Sequence, residues 1–129
     1  MNHEIRVIFG DTDQMGVVYY ANYLRYFESA RAAYWRGLGK SYRDLVEWGV
    51  ALPVVEAHCR YIRSAFYEDL LVVETTISEV RAASLRFAYR VKRDDDVLAE
   101  GFTRHAVIGT DGKPRRLPDP LRAAIPPIS

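Results

Sequence analysis

Apolar and polar residues alternate through residues 3–9, with Ile5, Val7 and Phe9 on one side and Glu4, Arg6 and Ile8 on the other. A period of two predicts a half-buried first strand. The period then changes. Tyr20, Tyr23, Leu24, Phe27, Ala30, Tyr34 and Leu38 recur at steps of three and four, which predicts one long amphipathic helix beginning near Tyr20. Arg25, Ser29, Ala32 and Arg36 fall on its other side. A stripe so rich in aromatics needs a broad surface to lie on, such as a sheet. Gly37 and Gly39 close this helix, since glycine is the residue best suited to a C-terminal cap. Ser41, with Asp44 at the capping-box position, opens a second, short helix that Gly49 stops.

From residue 51 onward the pattern is strand. Residues 52–64, 70–80, 84–93 and 97–108 are predicted strands, and the short connections 65–69, 81–83 and 94–96 make them consecutive antiparallel hairpins. Val72, Val73, Thr75, Thr76 and Ile77 have the β-branched character that strands favour. Residues 110–114 form another turn. The tail, 117–125, has room for a short helical turn at most, fenced by Pro118, Pro120, Pro126 and Pro127. Strand, long helix, short helix and four antiparallel strands make an α+β layer arrangement, with the helix on one face of the sheet.

Composition narrows the function classes. The 129 residues suit a single domain spanning 1–129. A net charge of +1 gives no sequence-wide basic field for nucleic acid. Cys59 is the only cysteine, which rules out an internal disulfide and the metal patterns built from paired cysteines. No basic region followed by an apolar core marks a signal peptide, and no apolar run approaches membrane length. The expectation is a soluble, cytoplasmic protein. Asp94, Asp95 and Asp96 read as a solvated turn, because no further acids flank them. His3, His58 and His105 have no motif joining them to a serine or to Cys59, so they read as structural. Cys59, within a strand, reads as a small buried hydrophobe.

The stretch joining the first strand to the long helix is the informative one. It places Asp11 and Asp13 within a few residues of the amides that open the helix. Those amides lack intrahelical partners and carry the positive end of the helix dipole, so an acid beside them suits chemistry on a polarised carbonyl. The competing explanation is a plain turn, since Asp bonds its own backbone readily. The run Asp11-Thr-Asp-Gln-Met-Gly16 also imitates the start of a calcium-binding loop. It fails at position five, Met15, and at position twelve, Asn22, where calcium needs oxygen ligands and a bidentate acid.

Gly10-Asp-Thr-Asp-Gln-Met-Gly16, then Val-Val-Tyr-Tyr-Ala-Asn-Tyr23 and Tyr26-Phe-Glu-Ser-Ala-Arg31, resembles the hotdog-fold acyl-CoA thioesterases. The nearest groups are the 4-hydroxybenzoyl-CoA thioesterases and the thioesterases encoded beside the Tol-Pal cell-envelope genes. Residues 64–71 and Ser84 extend the likeness over essentially the whole chain. The resemblance implies an antiparallel sheet wrapped around a central helix, and a homodimer or homotetramer with the active site at a subunit interface. An unpaired long edge strand supplies a physical motive for that assembly.

The same resemblance assigns roles. Asp13 takes the position of the catalytic carboxylate, acting on the thioester carbonyl as nucleophile or activating the attacking water. Asp11 holds the turn. The backbone amide of Tyr20 points at the thioester oxygen, while its side chain is not a shared catalytic group. Gly16 allows a tight turn where substrate meets backbone, and Asn22 caps or orients that turn. Arg81 and Ser84 match a turn that contacts the nucleotide of coenzyme A, although Ala82 and Ala83 stand where the aryl-CoA enzymes have further basic residues. Arg60, Arg63, Arg90, Lys92 and Arg93 are other cations for the phosphates. Coenzyme A is then part of the substrate, with no separate cofactor and no metal, and acyl carrier protein is the other carrier to consider. The rival from another class is a module of the same fold that binds acyl-CoA or acyl carrier protein without hydrolysis. A dehydratase of this fold is disfavoured, because those enzymes rely on a histidine that this turn lacks.

Overall fold

The computed structural model describes residues 1–128. Its elements in chain order are β1 (Asn2–Arg6), a 3₁₀ turn (Phe9–Asp11), α1 (Asn22–Gly37), α2 (Tyr42–Glu47), β2 (Val50–Ala51), β3 (Val54–Tyr61), β4 (Leu70–Val80), β5 (Ser84–Arg93), β6 (Asp96–Ala106), β7 (Ile108–Gly109) and α3 (Asp119–Ala124). Five strands form one antiparallel sheet in the order β1-β4-β5-β6-β3, and β2 pairs with β7 as a small separate ribbon.

The alternation of β4 and β5 sends one set of side chains to α1. Leu71, Val73 and Ile77 from β4 and Leu85, Phe87 and Val91 from β5 are buried there. The helix answers with Tyr23, Tyr26, Phe27, Ala30 and Tyr34. Phe27 stacks on Tyr89 with ring centroids 4.2 Å apart, and Tyr34 and Trp35 meet Phe87 edge-on. The stripe differs from its predicted form at three positions. Tyr20 and Leu24 are exposed and Tyr26 is buried, because the helix starts at Asn22 and rotates its seam toward the sheet. At the other end Leu38 caps the helix, the Gly39 and Lys40 amides bond back to the Arg36 and Trp35 carbonyls, and Gly39 takes φ +75°. The capping box of α2 forms as predicted, with Asp44 Oδ2 accepting from the Ser41 amide at 2.8 Å.

Three strand expectations need correction. The first strand stops at Arg6, where 3–9 was expected. Val7 leaves the ladder to bond the Asp69 carbonyl, and Phe9 turns outward, 74% exposed. The strand expected over 52–64 is only β3, 54–61; Pro53, which has no N–H to donate, separates it from β2, which lies before the expected start. The expected 97–108 is divided into β6 and β7.

The expected chain of hairpins fails at one point. β4, β5 and β6 are consecutive hairpins, the β5–β6 turn using Asp94 at φ 53°. β3, however, pairs with β6 and not with β4. Residues 62–69 are therefore a crossing connection over the end of the sheet. Its amides at Ile62 and Arg63 bond Leu98, its Ala65 is fully buried, and the Ala65 carbonyl accepts from Val18 at 2.9 Å. Gly101 makes room for β3 on β6, since a Cβ there would lie 2.0 Å from the His58 carbonyl oxygen.

A polar chain crosses the core. Arg31 donates to the Tyr89 hydroxyl (3.1 Å), Tyr89 meets Thr103 (2.7 Å), Thr103 meets His105 Nε2 (2.8 Å), and His105 Nδ1 meets the Leu52 carbonyl (2.9 Å). A carbonyl only accepts, so Nδ1 carries the proton and Nε2 accepts from Thr103 in the neutral ring. His105 is thus buried and held by Thr103 and the Leu52 carbonyl. Burial depresses its pKa; the Leu52 carbonyl opposes this and the Arg31 charge adds to it. The unfolded chain then binds more protons than the folded one just below the ordinary histidine value of about 6.5. This contribution to stability is complete above that value and is lost as pH falls below it. Urea unfolding should show a steeper loss of stability between pH 7 and pH 5 for the parent than for His105→Gln. Equal slopes would contradict the assignment.

Candidate active site

The loop between β1 and α1 is built by its own backbone. The 3₁₀ turn at Phe9–Asp11 leads into a small hairpin in which Thr12 bridges Val18 and the Asp13 amide donates to the Val17 carbonyl. The Gly16 amide closes a turn on the Asp13 carbonyl at 3.0 Å, with Gly16 at φ +82°. A side chain with a Cβ would be strained there, which is the physical reason for glycine. Asp13 Oδ1 accepts from the Met15 amide at 2.8 Å. That bond fixes the carboxylate, while its other oxygen has no partner among the described residues.

Asp11 ties this loop down. Its carboxylate accepts from the Tyr26 hydroxyl at 2.8 Å and, more loosely, from the Ile8 amide at 3.5 Å. Its carbonyl accepts from the Tyr19 amide and from the Asn22 side-chain amide, both at 2.9 Å. Burial, with Asp11 beside it, raises the Tyr26 phenol well above its ordinary value, so it stays a donor. Asn22 thus orients the turn but does not cap the helix. The N-cap position is Ala21, which offers no side-chain acceptor.

That absence matters. Bonds to the third preceding residue occupy the amides of Asn22, Tyr23 and Leu24, which donate to the Tyr19, Tyr20 and Ala21 carbonyls at 2.9, 3.3 and 3.3 Å. Helix α1 begins two residues later than expected, yet the Tyr20 and Ala21 amides are the ones left without an acceptor among the described residues. Asp13 and Tyr20 line one cavity of about 330 Å³, together with Val18, Tyr23, Tyr61 and Arg63. Tyr61 reaches over from β3 to donate to the Tyr20 carbonyl at 3.1 Å. Burial and the neighbouring Cys59 push its phenol up to about 12. The arrangement supplies a fixed carboxylate, two unpaired backbone donors at a helix start and a largely apolar wall.

Asp13 and Tyr20 are therefore brought to one cavity, Gly16 turns the loop beside Asp13, and Asn22 is held on Asp11 and lines a separate cavity with Arg25 and Tyr26. Arg81 and Ser84 are not brought to the Asp13 cavity. They sit at the far end of β4 and β5, and the eleven residues of β4 extend about 36 Å at ~3.3 Å per residue. Arg81 is paired there with Glu79, and its amide bonds the Ser84 carbonyl at 2.8 Å. The cation that does line the Asp13 cavity is Arg63, held by an exposed contact to Asp96 at 3.5 Å. Tyr26 and Tyr61 were not singled out in the sequence. The spacing of three from Tyr23 offered a cue for Tyr26; nothing local marks Tyr61, which meets the site only through the crossing connection. Among the described residues no group of three or more His, Cys, Asp or Glu is placed to hold a metal ion, and no helix is long and apolar enough to cross a membrane.

Residues 7–125 match the thioesterase-like superfamily. The chain is 37% identical over 122 residues to the acyl-CoA thioesterase YbgC of Haemophilus influenzae, covering 93% of this chain and 90% of that one. It is 35% identical over 91 residues to the 4-hydroxybenzoyl-CoA thioesterase of a Pseudomonas species, covering 68% and 64%. The crystal structure of Slr0204, a 1,4-dihydroxy-2-naphthoyl-CoA thioesterase from Synechocystis, superposes with a TM-score of 0.89 at 29% identity, covering 96% of this chain and 93% of that one. The α+β arrangement of a sheet around a long helix is thus the hotdog fold, and the chain belongs to the thioesterase-like superfamily.

Proposed function

We propose that this protein hydrolyses an acyl-CoA thioester to the free carboxylic acid and coenzyme A. The observation that carries this reading is that Asp13 and Tyr20 line one cavity, with the Tyr20 amide free of any acceptor among the described residues. Thioesters suit such a site, because the thiolate leaves readily and even a weak carboxylate nucleophile suffices. Asp13 either attacks the carbonyl carbon, expelling the thiolate and leaving a mixed anhydride for water to open, or takes a proton from the attacking water. In both routes negative charge develops on the carbonyl oxygen, where the Tyr20 amide and the helix dipole stabilise it. Gly16 and Asn22 hold the loop that presents Asp13. Coenzyme A enters as part of the substrate, and this chemistry calls for no separate cofactor. Acyl carrier protein remains the other thioester carrier the same chemistry admits. The working compartment in this reading is the cytoplasm.

The substrate site is completed by a second copy of the chain. β3 is an edge strand whose residues are exposed on both faces apart from the half-buried Cys59, with Val55 60% and Tyr61 47% exposed. A free edge of this kind, with Val54, Val55 and Tyr61 exposed on it, favours strand-to-strand pairing. Arg81 and Ser84 can reach a nucleotide bound at Asp13 only from another subunit, whereas Arg63 is available in the same chain. Assembly as a homodimer or a homotetramer should be visible by light scattering; a monomer that turns over at assay concentration would contradict it.

Asp13→Asn should lower kcat by roughly 10²–10⁴-fold while acyl-CoA still binds. Tyr20→Phe removes only the phenol and should leave turnover close to the parent's. Tyr20→Pro deletes the proposed oxyanion donor without breaking an internal bond, since that N–H has no acceptor. It should cost roughly 10²–10³-fold in kcat, with circular dichroism and substrate binding confirming that the helix survives. Turnover by a folded Tyr20→Pro protein at the parent's rate, or its loss in Tyr20→Phe, would contradict the backbone mechanism. Binding without turnover by the parent, across a panel of acyl-CoA thioesters, is the result expected of a non-hydrolytic module.

A further inference from the structure

A second cavity, of about 440 Å³, lies between α1, α2 and the sheet. Trp35, Leu45 and Phe87 give it an apolar wall, and Arg31, Arg36 and Lys40 face it together with a single acid, Glu28. None of these four charged groups is ion-paired among the described residues. Arg31 is only half-exposed, and its one side-chain partner is the neutral Tyr89 hydroxyl. A guanidinium held in partly apolar surroundings without a counter-ion is costly unless an anion meets it.

Arg31 is also held in place. The chain from Tyr89 through Thr103 and His105 to the Leu52 carbonyl is directional, each group donating to the next. One guanidinium nitrogen is fixed at the head of that chain. The remaining donors of a five-donor group stay available to the cavity. A planar fork pre-positioned in this way is matched to a carboxylate.

Tyr20, just before α1, and Leu24 and Arg31 on it follow one another at steps of four and seven, the spacing of one side of a helix, and Leu24 is 41% exposed. Arg31 lies nine residues along α1 from Asn22, about 14 Å at ~1.5 Å per helical residue, and Tyr20 stands two residues before that start. Side chains on a helix lean toward its N-terminus, which brings the guanidinium nearer than its Cα. We infer that Arg31 is a specificity-determining residue that receives a carboxylate at the far end of the acyl group, so that the preferred substrates are acyl-CoA thioesters of medium-length dicarboxylic acids. The inference rests on the thioesterase reading above. The thioester carbonyl sits at Tyr20, the methylenes lie along Leu24, and the distal carboxylate meets Arg31, with Arg36 and Lys40 adding to the positive field.

The test compares thioesters matched in length, octanoyl-CoA with suberoyl-CoA and decanoyl-CoA with sebacoyl-CoA. For at least one pair the parent protein should favour the dicarboxylic member by roughly tenfold or more in kcat/KM, the size of a charge-assisted hydrogen bond. Arg31→Gln should collapse that ratio to near one, and Arg31→Lys should restore part of it. A parent without the preference overturns the inference even if Arg31→Gln fails to fold, and so does a preference that survives in Arg31→Gln. Hydrolysis of the plain thioesters with no such preference leaves the thioesterase reading standing and sinks only this one. Failure to hydrolyse any member of the panel, or any other acyl-CoA, sinks both.

Discussion

The site depends on Asp11 more than on any other residue, although Asp11 performs no chemistry in this account. Its carboxylate holds Tyr26 on the buried face of α1 and the Ile8 amide at the end of β1. Its carbonyl holds the Tyr19 amide and the Asn22 side chain at the start of the helix. Four bonds from one residue thus fix where the strand ends, how the loop turns and where the helix begins. Asp13, two residues on, inherits its position from that anchoring. The Tyr20 amide inherits its lack of an acceptor, because the bond between Tyr19 and Asp11 sets the chain direction just before it. The Tyr26 bond to the carboxylate is the one well-placed bond to a charged acceptor among the four, and such bonds contribute about 1.5–3 kcal/mol, which is large beside the net stability of a small domain.

The second constraint is the crossing connection. By carrying residues 62–69 over the end of the sheet, it makes β3 an edge strand and brings Tyr61 and Arg63 to the Asp13 cavity. The same segment pins the loop from outside through the bond between Val18 and Ala65. The proposed assembly and the proposed catalysis would therefore share one piece of chain. The strand proposed to pair with a second copy is continuous with the connection that walls the site.

Much of this was legible in the sequence, and the exceptions have physical reasons. Periodicity located α1, and the capping box located α2, because both signals are local. The Gly-Asp-Thr-Asp run pointed to the candidate site through its resemblance to a family motif, since spacing alone also suits a plain Asp turn. The end of β1 was misread because Phe9 continues an alternation that Asp11 interrupts from two residues away. Pro53 delays the start of β3 although the apolar pattern runs straight through it. The pairing of β3 with β6 could not be read from loop length, since a short connection suits a hairpin and a tight crossing equally. Only the buried Ala65 and the space left by Gly101 distinguish them, and both are tertiary facts. Arg31 was visible as part of a motif, but its unpaired charge was not, because the acid that fails to meet it and the tyrosine that does are set by the fold.

The central claim is that one thioester carbonyl is held between the Asp13 carboxylate and the Tyr20 amide. The most direct measurement is a crystal structure of the parent protein with a non-hydrolysable acyl-CoA analogue, in which a methylene separates the carbonyl carbon from sulfur. The account predicts the carbonyl oxygen within hydrogen-bonding distance of the Tyr20 nitrogen, roughly 2.7–3.1 Å, with an Asp13 oxygen facing the carbonyl carbon directly or through one water. An analogue bound with its carbonyl away from the start of α1, or with Asp13 turned from it, would contradict the account.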